Sequence, residues 1–327
     1  MRVQTRLPGE PIPMFNVATR ALMLAAAFAL QAPVHATVLL GGATPEETAL
    51  LTAQAHQAGA RHSNVVGLTL EFSDGDVALI SYATGVYIGL TADGQTGLIL
   101  SAGHAFDRNV APKGLRGPKR AWVSLGPRIL DKSEAGSVMI PAVRVDLHPE
   151  FGWSGDGACA WTYNDLAIVA FDAYAHREVL QAQGLAPTKL RAEHEAKAPM
   201  CIAELVGEGK DTVYFGFDRV EAGFAIVDPE TGARTELRSH PKQAFGARGD
   251  SGGPLFFTTP GGLEVAGIYS GSLLQRVAVA DAEEDEMVHT QVWEPVAIHL
   301  PWIQSHLERP PGSPSPGPGC IQRSHAH

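Results

Sequence analysis

Cysteine is scarce in this chain: 327 residues hold three, Cys159, Cys201 and Cys320. So low a number excludes a small fold stapled by a dense disulfide framework, and an odd count leaves at least one thiol unpaired within the chain. Cys159 with Cys201 is the expected pair, because Cys320 lies in a Pro/Gly/Ser tail. Charge is sparse too, at 18% of residues, and cations are the minority: 25 Lys and Arg against 35 Asp and Glu give a formal net charge of −10. That sign argues against nucleic acid as a partner, since phosphate binding needs a basic surface. Long apolar runs are also missing. Ala21 to Leu30 reaches only ten residues, too few to span a bilayer, and no later segment is apolar and long enough to anchor the chain.

Glycine and proline, by contrast, are plentiful, with 35 and 23 residues. They favour a turn-rich β protein over a helical bundle, and a hydrophobic fraction of 45% suits an ordinary globular core. Short runs rich in apolar and β-branched residues recur at Val65–Phe72, Val77–Tyr82, Gly85–Leu90, Gly97–Ser101, Ala121–Leu125 and Val143–Leu147. Gly, Asp, Ser or Pro clusters separate them, which is the spacing of short antiparallel strands. Leu166–Phe171 is continuously apolar and reads as a strand buried on both faces. A mixed connector, helical around Arg177–Gln183, precedes further strand-like runs at Cys201–Val206, Thr212–Phe217, Gly223–Val227, Pro254–Thr258, Leu263–Ser270 and Val288–Val292. A closing helix is expected over Leu300–Leu307.

The two ends read differently. Arg2, Arg6 and Arg20, the apolar run and the small residues of Val34-His35-Ala36 have the layout of an export signal, so residues 1–36 are expected to be removed and the product secreted, outside the cell or into a periplasm. Thr44-Pro45-Glu46-Glu47 has the form of a capping box with proline at the first helical position, giving a partly helical segment over 37–64. Two β halves follow, 65–175 and 176–299, then the helix at 300–308. The tail at 309–327 contains ERPPGSPSPGPG, which has too little apolar surface to order itself.

Three segments carry chemistry. Gly249-Asp250-Ser251-Gly252-Gly253-Pro254 puts a serine on a glycine-rich turn whose Gly249 and Ser251 amides are placed to converge on an oxyanion. Leu98-Ile99-Leu100-Ser101-Ala102-Gly103-His104 puts a histidine just after an apolar strand. Asn164-Asp165 puts an acid at the mouth of a buried strand. Acyl transfer needs a nucleophile, a base for its proton, a group to orient the base and donors for the oxyanion. The order His104, Asp165, Ser251 is one in which such triads occur. Singly, each residue is more often structural; together they point to covalent catalysis without metal or organic cofactor.

These residues resemble the chymotrypsin-like (trypsin) family of serine peptidases. Gly249 to Pro254 is similar to the nucleophile motif, Ser101-Ala102-Gly103-His104 to the histidine motif and Asn164-Asp165-Leu166-Ala167 to the aspartate motif. Leu147-His148-Pro149, Val265 to Gly271 and Leu300 to Gln304 resemble further family segments. The resemblance implies an all-β fold of two antiparallel six-stranded β-barrels with a C-terminal α-helix, His104 and Asp165 in the first barrel and Ser251 in the second. It implies a serine endopeptidase acting on protein or peptide, expected as a monomer. Ser270 would bond near Asp165, and Ser270, Gly271 and Ser272 would pair with the substrate as an added strand. A silent homologue that only binds protein, and an esterase with the same triad, are the alternatives.

Ala105 and Ala247 stand where the family usually has cysteine, so packing has to hold the site. The resemblance places Phe245 at the base of the primary pocket, which argues against cleavage after basic residues and for an apolar or small P1 side chain. Arg248 and His289 speak instead for an acidic one. It also implies that Asp250 pairs with a newly formed N-terminal amine. Leu39-Leu40-Gly41-Gly42 and Val65-Val66-Gly67 are the two segments that resemble such a terminus. The acidic run Asp281 to Glu286 and the closing His325-Ala326-His327 read as solvated surface rather than metal sites.

Overall fold

The alternation Val66, Leu68, Leu70, Phe72 puts four apolar side chains on one face of a strand, and all four are buried in one core cluster. The computed structural model describes residues 38–39, 62–74, 77–107, 118–125, 138–154, 161–192, 197–199, 202–208, 213–218, 221–226, 235–239, 244–245, 249–277 and 286–309. In chain order the first strands are β1 (Val38–Leu39), β2 (Val65–Asp74), β3 (Val77–Leu90), β4 (Thr96–Ser101), β5 (Arg120–Leu125), β6 (Val138–Leu147), β7 (Gly152–Ser154), β8 (Trp161–Tyr163) and β9 (Ala167–Asp172). Six of them close a barrel in the order β2-β3-β4-β9-β6-β5, while β7 and β8 form a separate hairpin. The expected strands Val77–Tyr82 and Gly85–Leu90 are one strand. Ala83 and Thr84 continue the ladder opposite Leu68 and Gly67, and a bulge between Tyr87 and Gly89 takes up the bend.

Strands β4 and β9 are buried on both faces. Ile99, Ala167, Val169 and Phe171 point into the barrel, whereas Leu98, Leu100, Ile168 and Ala170 point outward into a second cluster with Phe256, Val265, Ile268, Val296 and Ile303. The continuous apolar run at 166–171 follows from this double burial. Each such side chain, taken wholly from water, contributes about 1.5–3 kcal/mol for a Leu, Ile or Phe, so these two strands bind the barrel to the rest of the chain.

Helix α1 (Arg177–Ala182) leads to β10 (Lys189–Leu190), β11 (Lys197–Pro199), β12 (Ile202–Glu208), β13 (Val213–Asp218), β14 (Glu221–Ile226), β15 (Thr235–Ser239), β16 (Ala244–Phe245), β17 (Pro254–Thr259), β18 (Gly262–Val277) and β19 (Glu286–Pro295), with α2 (Val296–Leu307) last. Nine of these strands form one sheet in the order β11-β14-β15-β19-β18-β17-β12-β13, with β10 beside β18. Among the described residues its ends do not pair. The chain is therefore mostly β with one closed six-stranded barrel, and a second closed barrel is not seen. The long pair β18–β19 runs on to Val277 and Glu286, well past the last β17 partner of β18 at Ile268. The expected helix at 45–58, Cys159, Cys201 and Cys320, Asp281 to Asp285 and the tail beyond Arg309 lie outside the described residues.

Helix α2 begins at Val296, four residues before the expected start. Pro301 lies inside the helix with its side chain exposed, and the chain enters directly from β19. Val296, His299, Ile303 and His306 share the buried face. Trp302 meets the His148 and His306 rings edge-on at centroid distances of 4.9 and 5.1 Å. Both His306 nitrogens are buried without a hydrogen-bond partner, though Nδ1 lies 3.4 Å from Asp146 Oδ2. Burial above all pushes His148 down to about 4. Burial also brings His306 down to about 4, the Arg309 and Arg144 cations reinforcing it and the Asp146 charge opposing it.

Both folded values lie below the ordinary 6.5, so between pH 6.5 and about 4 the unfolded chain binds protons that the native fold refuses. Stability then falls as pH falls across that window. The midpoint of thermal unfolding should drop by several degrees from pH 6.5 to 4. His306→Phe, which keeps a ring against Trp302, should flatten part of that drop; an unchanged slope would contradict a neutral buried His306.

Candidate active site

Ser251 sits on a turn that only its glycines permit. Gly249 and Gly252 have φ of 101° and 90°, in the region that L side chains rarely adopt. The turn is pinned on two sides. Thr84 in β3 donates its amide to the Ser251 carbonyl and its Oγ1 to the Gly249 carbonyl, both at 2.8 Å. Gly252 donates its amide to the Tyr269 carbonyl in β18, and Tyr269 donates to the Gly253 carbonyl, again at 2.8 Å. A Cβ at Gly252 would lie 2.1 Å from the Thr84 carbonyl oxygen and 2.2 Å from Ser101 Oγ. Among the described residues, neither the Gly249 nor the Ser251 amide has an acceptor.

His104 stands in a 3-10 turn, Gly103–Phe106, three residues after β4 ends, and Asp165 stands two residues before β9 begins. Because Ser101 pairs with Ala167, antiparallel pairing brings those two strand ends together. Asp165 is 0% exposed. Its Oδ1 accepts the His104 backbone amide at 2.7 Å, and its Oδ2 lies 2.7 Å from His104 Nδ1. Thr162 Oγ1 at 3.1 Å and Ser270 Oγ also donate to Oδ2. On the far side of the ring, His104 Nε2 lies 2.7 Å from Ser251 Oγ.

Burial opposes a charge on His104, but the Asp165 carboxylate, its hydrogen bond and the charge of Asp107 together outweigh burial and hold the imidazole pKa above 6.5. Burial likewise raises Asp165, yet the His104 charge and the bonds from His104, Ser270 and the His104 amide keep it below the ordinary carboxylate value. The arrangement favours an Asp165 anion beside an imidazole able to take a proton from Ser251.

Ser270 reaches Asp165 because of a bulge. In the β18–β19 ladder Tyr269 pairs with Trp293 and Gly271 with Val292, so Ser270 has no partner across the ladder and is turned out of it. Gly271 and Ser272 continue in β18 opposite Val292 and Gln291. Phe245 pairs through its backbone with Val38, and His289 with Leu274 rather than with Ser272. Arg248 lies outside the described residues, and of the Phe245, Ser272 and His289 side chains nothing is described. Asp250 is fully buried. The segment Val65-Val66-Gly67 is the start of barrel strand β2, laddered to Val86, Gly85 and Thr84. Val38–Leu39 lies along Ala244–Phe245.

Two site residues escaped the sequence reading. Thr162, from the β8 hairpin strand, donates to Asp165, and its Oγ1 lies 2.9 Å from Ser270 Oγ. Glu294, at the end of β19, accepts the Asp165 backbone amide on Oε2 at 2.9 Å. Spacing could have hinted at Thr162, three residues before the acid; nothing local marks Glu294, 129 residues away. Among the described residues no group of three or more ligand-type side chains is placed to hold a metal ion, and no helix is long and apolar enough to cross a membrane.

No family model matches the chain, and no curated protein matches it. Among solved structures it is similar to one described as "Structure of GrC", a granzyme C of the chymotrypsin-like serine proteases, at 17% identity and a TM-score of 0.48, covering 75% of this chain and 94% of that one.

The closeness of Thr84 and Ser101 to Gly252 predicts that Gly252→Ala displaces the Ser251 turn. A Cβ there meets a backbone oxygen and needs a strained φ, a combined cost of several kcal/mol. Thermal unfolding should reveal a large loss of stability. An unchanged melting temperature would show that Gly252 is not packed against Thr84 and Ser101 as described.

Proposed function

We propose that this chain is a serine endopeptidase in which Ser251 is the nucleophile, His104 the general base and acid, and Asp165 the group that orients His104. The observation that carries the reading is the continuous pair of 2.7 Å contacts from Ser251 Oγ through both nitrogens of His104 to Asp165. Ser251 Oγ attacks the scissile carbonyl carbon as its proton passes to His104 Nε2. The imidazolium is stabilised by Asp165, and the proton then goes to the leaving amine, leaving an acyl-enzyme that water cleaves by the reverse route. The amides of Gly249 and Ser251 receive the oxyanion. A donor so placed lowers the barrier by about 2.7–4 kcal/mol.

A peptide substrate is supported by the free edge of β18. Past Ile268, β18 keeps β19 on one side, and on the other no strand pairs with it among the described residues. Ser270, Gly271 and Ser272 are thus available to add a substrate strand through backbone bonds. For the P1 side chain we favour apolar or small on the strength of Phe245, with Arg248 and His289 as the argument for acidic. The basic flank and apolar run before Val34-His35-Ala36 support export, and a monomer without nucleic-acid partner is the expected working form.

A fluorophosphonate probe should label wild type on Ser251 and leave Ser251→Ala unlabelled; an unlabelled wild type, or equal labelling of both, refutes the reading in favour of a silent homologue. Asp165→Asn should lower kcat by roughly 10⁴ with little change in fold. Since the base must be neutral and its pKa is raised, the acid limb of kcat/KM should have its midpoint above pH 6.5. A peptide library should show cleavage after apolar or small residues, and a preference for Lys or Arg would overturn the pocket assignment.

A further inference from the structure

We propose that Glu294 is a positioning residue for Asp165, held in its working orientation by a relay of two neutral histidines, His299 and His148. This rests on the peptidase reading for its consequence but not for its geometry. Glu294 Oε2 accepts the Asp165 amide at 2.9 Å, and Glu294 Oε1 lies 2.8 Å from His299 Nε2. His299 Nδ1 lies 3.3 Å from His148 Nε2, and His148 Nδ1 accepts the Glu150 amide at 3.3 Å. Asn164 Nδ2 donates to the Glu150 carbonyl at 3.0 Å. Six residues therefore form a closed ring: His148, Glu150, Asn164, Asp165, Glu294 and His299. They come from the exit of β6, the entrance of β9, the end of β19 and helix α2. His148, Asp165, Glu294 and His299 are 9%, 0%, 7% and 5% exposed.

The direction of every bond follows from the two backbone amides at the ends. An amide can only donate, so His148 Nδ1 is an acceptor and its proton is on Nε2. His299 must then accept on Nδ1 and donate from Nε2 to Glu294. Glu294 receives donors on both oxygens and therefore stays unprotonated. Reversing any one bond sets two donors face to face at Glu150 or at Asp165. The depressed pKa of His148 agrees with its neutral form. The charged and titratable groups around the relay are few. His148 and His299 face each other, with Glu294 beyond; across Trp302 lies His306, backed by Asp146, Arg144 and Arg309.

What the ring holds is a strained turn. Asn164 has φ of 49°, which costs a non-glycine residue on the order of 1 kcal/mol. Its side chain is tied to Glu150 and the next amide to Glu294, so the turn cannot relax without breaking the ring. Relaxation would rotate the Asp165 carboxylate away from His104.

The relay makes Glu294→Gln a non-conservative change. A glutamine accepts the Asp165 amide only by turning its NH2 toward His299, which then has to reverse its tautomer, and His148 after it, against the Glu150 amide. We expect Glu294→Gln to lower kcat ten- to a hundredfold with KM within about twofold. His148→Gln can accept from Glu150 and donate to His299, so its kcat should stay near wild type, whereas His148→Leu should fall toward the Glu294→Gln level. Wild-type kcat in Glu294→Gln, or a His148→Gln no better than His148→Leu, overturns the proposal. Nitrogen-15 spectra of the wild-type imidazoles test it independently of activity: both histidines should be neutral with the proton on Nε2 at pH 7. A proton on Nδ1 of either overturns the relay even if the protein proves to be an active peptidase. The expected spectra from a protein that no fluorophosphonate labels would leave the relay standing and sink the peptidase reading alone.

Discussion

The structure depends on one buried charge. Asp165 has no exposure to water, and an isolated carboxylate in such a place is costly enough to be neutralised or to unfold its surroundings. Four donors make it tolerable: the backbone and ring nitrogens of His104, Thr162 Oγ1 and Ser270 Oγ. They come from the turn after β4, the β7–β8 hairpin and the bulge of β18. The anion is satisfied only when the barrel and the nine-stranded sheet are docked, so assembling the site and completing the fold are coupled.

Strands β4 and β9 make that docking geometric. Each has one apolar face in the barrel and one against Phe256, Ile268 and Ile303. They are central to both cores, and His104 and Asp165 hang on adjacent ends of the same ladder. Sideways movement by one residue would turn every apolar side chain to the wrong face. Register fixed by packing thus also fixes how His104 and Asp165 meet. The Ser251 turn uses the same device across the gap, with Thr84 in β3 and Tyr269 in β18 holding it from both sides.

Much of this was legible in the sequence where function and local pattern coincide. The motifs around His104, Asp165 and Ser251 are short, and their grouping is met by the contacts among the three side chains, while Leu166–Phe171 shows double burial as an unbroken apolar run. Features that depend on long-range pairing were not legible. A bulge is a mismatch between two strands, so no single strand announces that Ser270 leaves the ladder. The joining of Val77–Tyr82 and Gly85–Leu90 into one strand depends on Leu68 and Gly67 as partners. Glu294 and His148 are ordinary strand-end and turn residues until α2 brings His299 between them. The expected second barrel is not seen closed among the described residues: alternation predicts strands, but their closure depends on which edges meet.

The bulge at Ser270 also explains how one strand can serve the site in two ways. Up to Ile268, β18 pairs with β17 along one edge, with β10 and then β19 beside it, and its side chains feed the shared core. At Ser270 one residue drops out of the β19 pairing, which turns its hydroxyl toward Asp165. The strand then resumes with Gly271, past the last residue of β17 able to pair with it. A regular strand at this point would keep Ser270 in the ladder and deny Asp165 a donor. A strand that ended there would provide the donor but no backbone edge beyond it. Only a displaced residue followed by resumed pairing gives both, placing a backbone edge that is unpaired among the described residues directly beside Asp165.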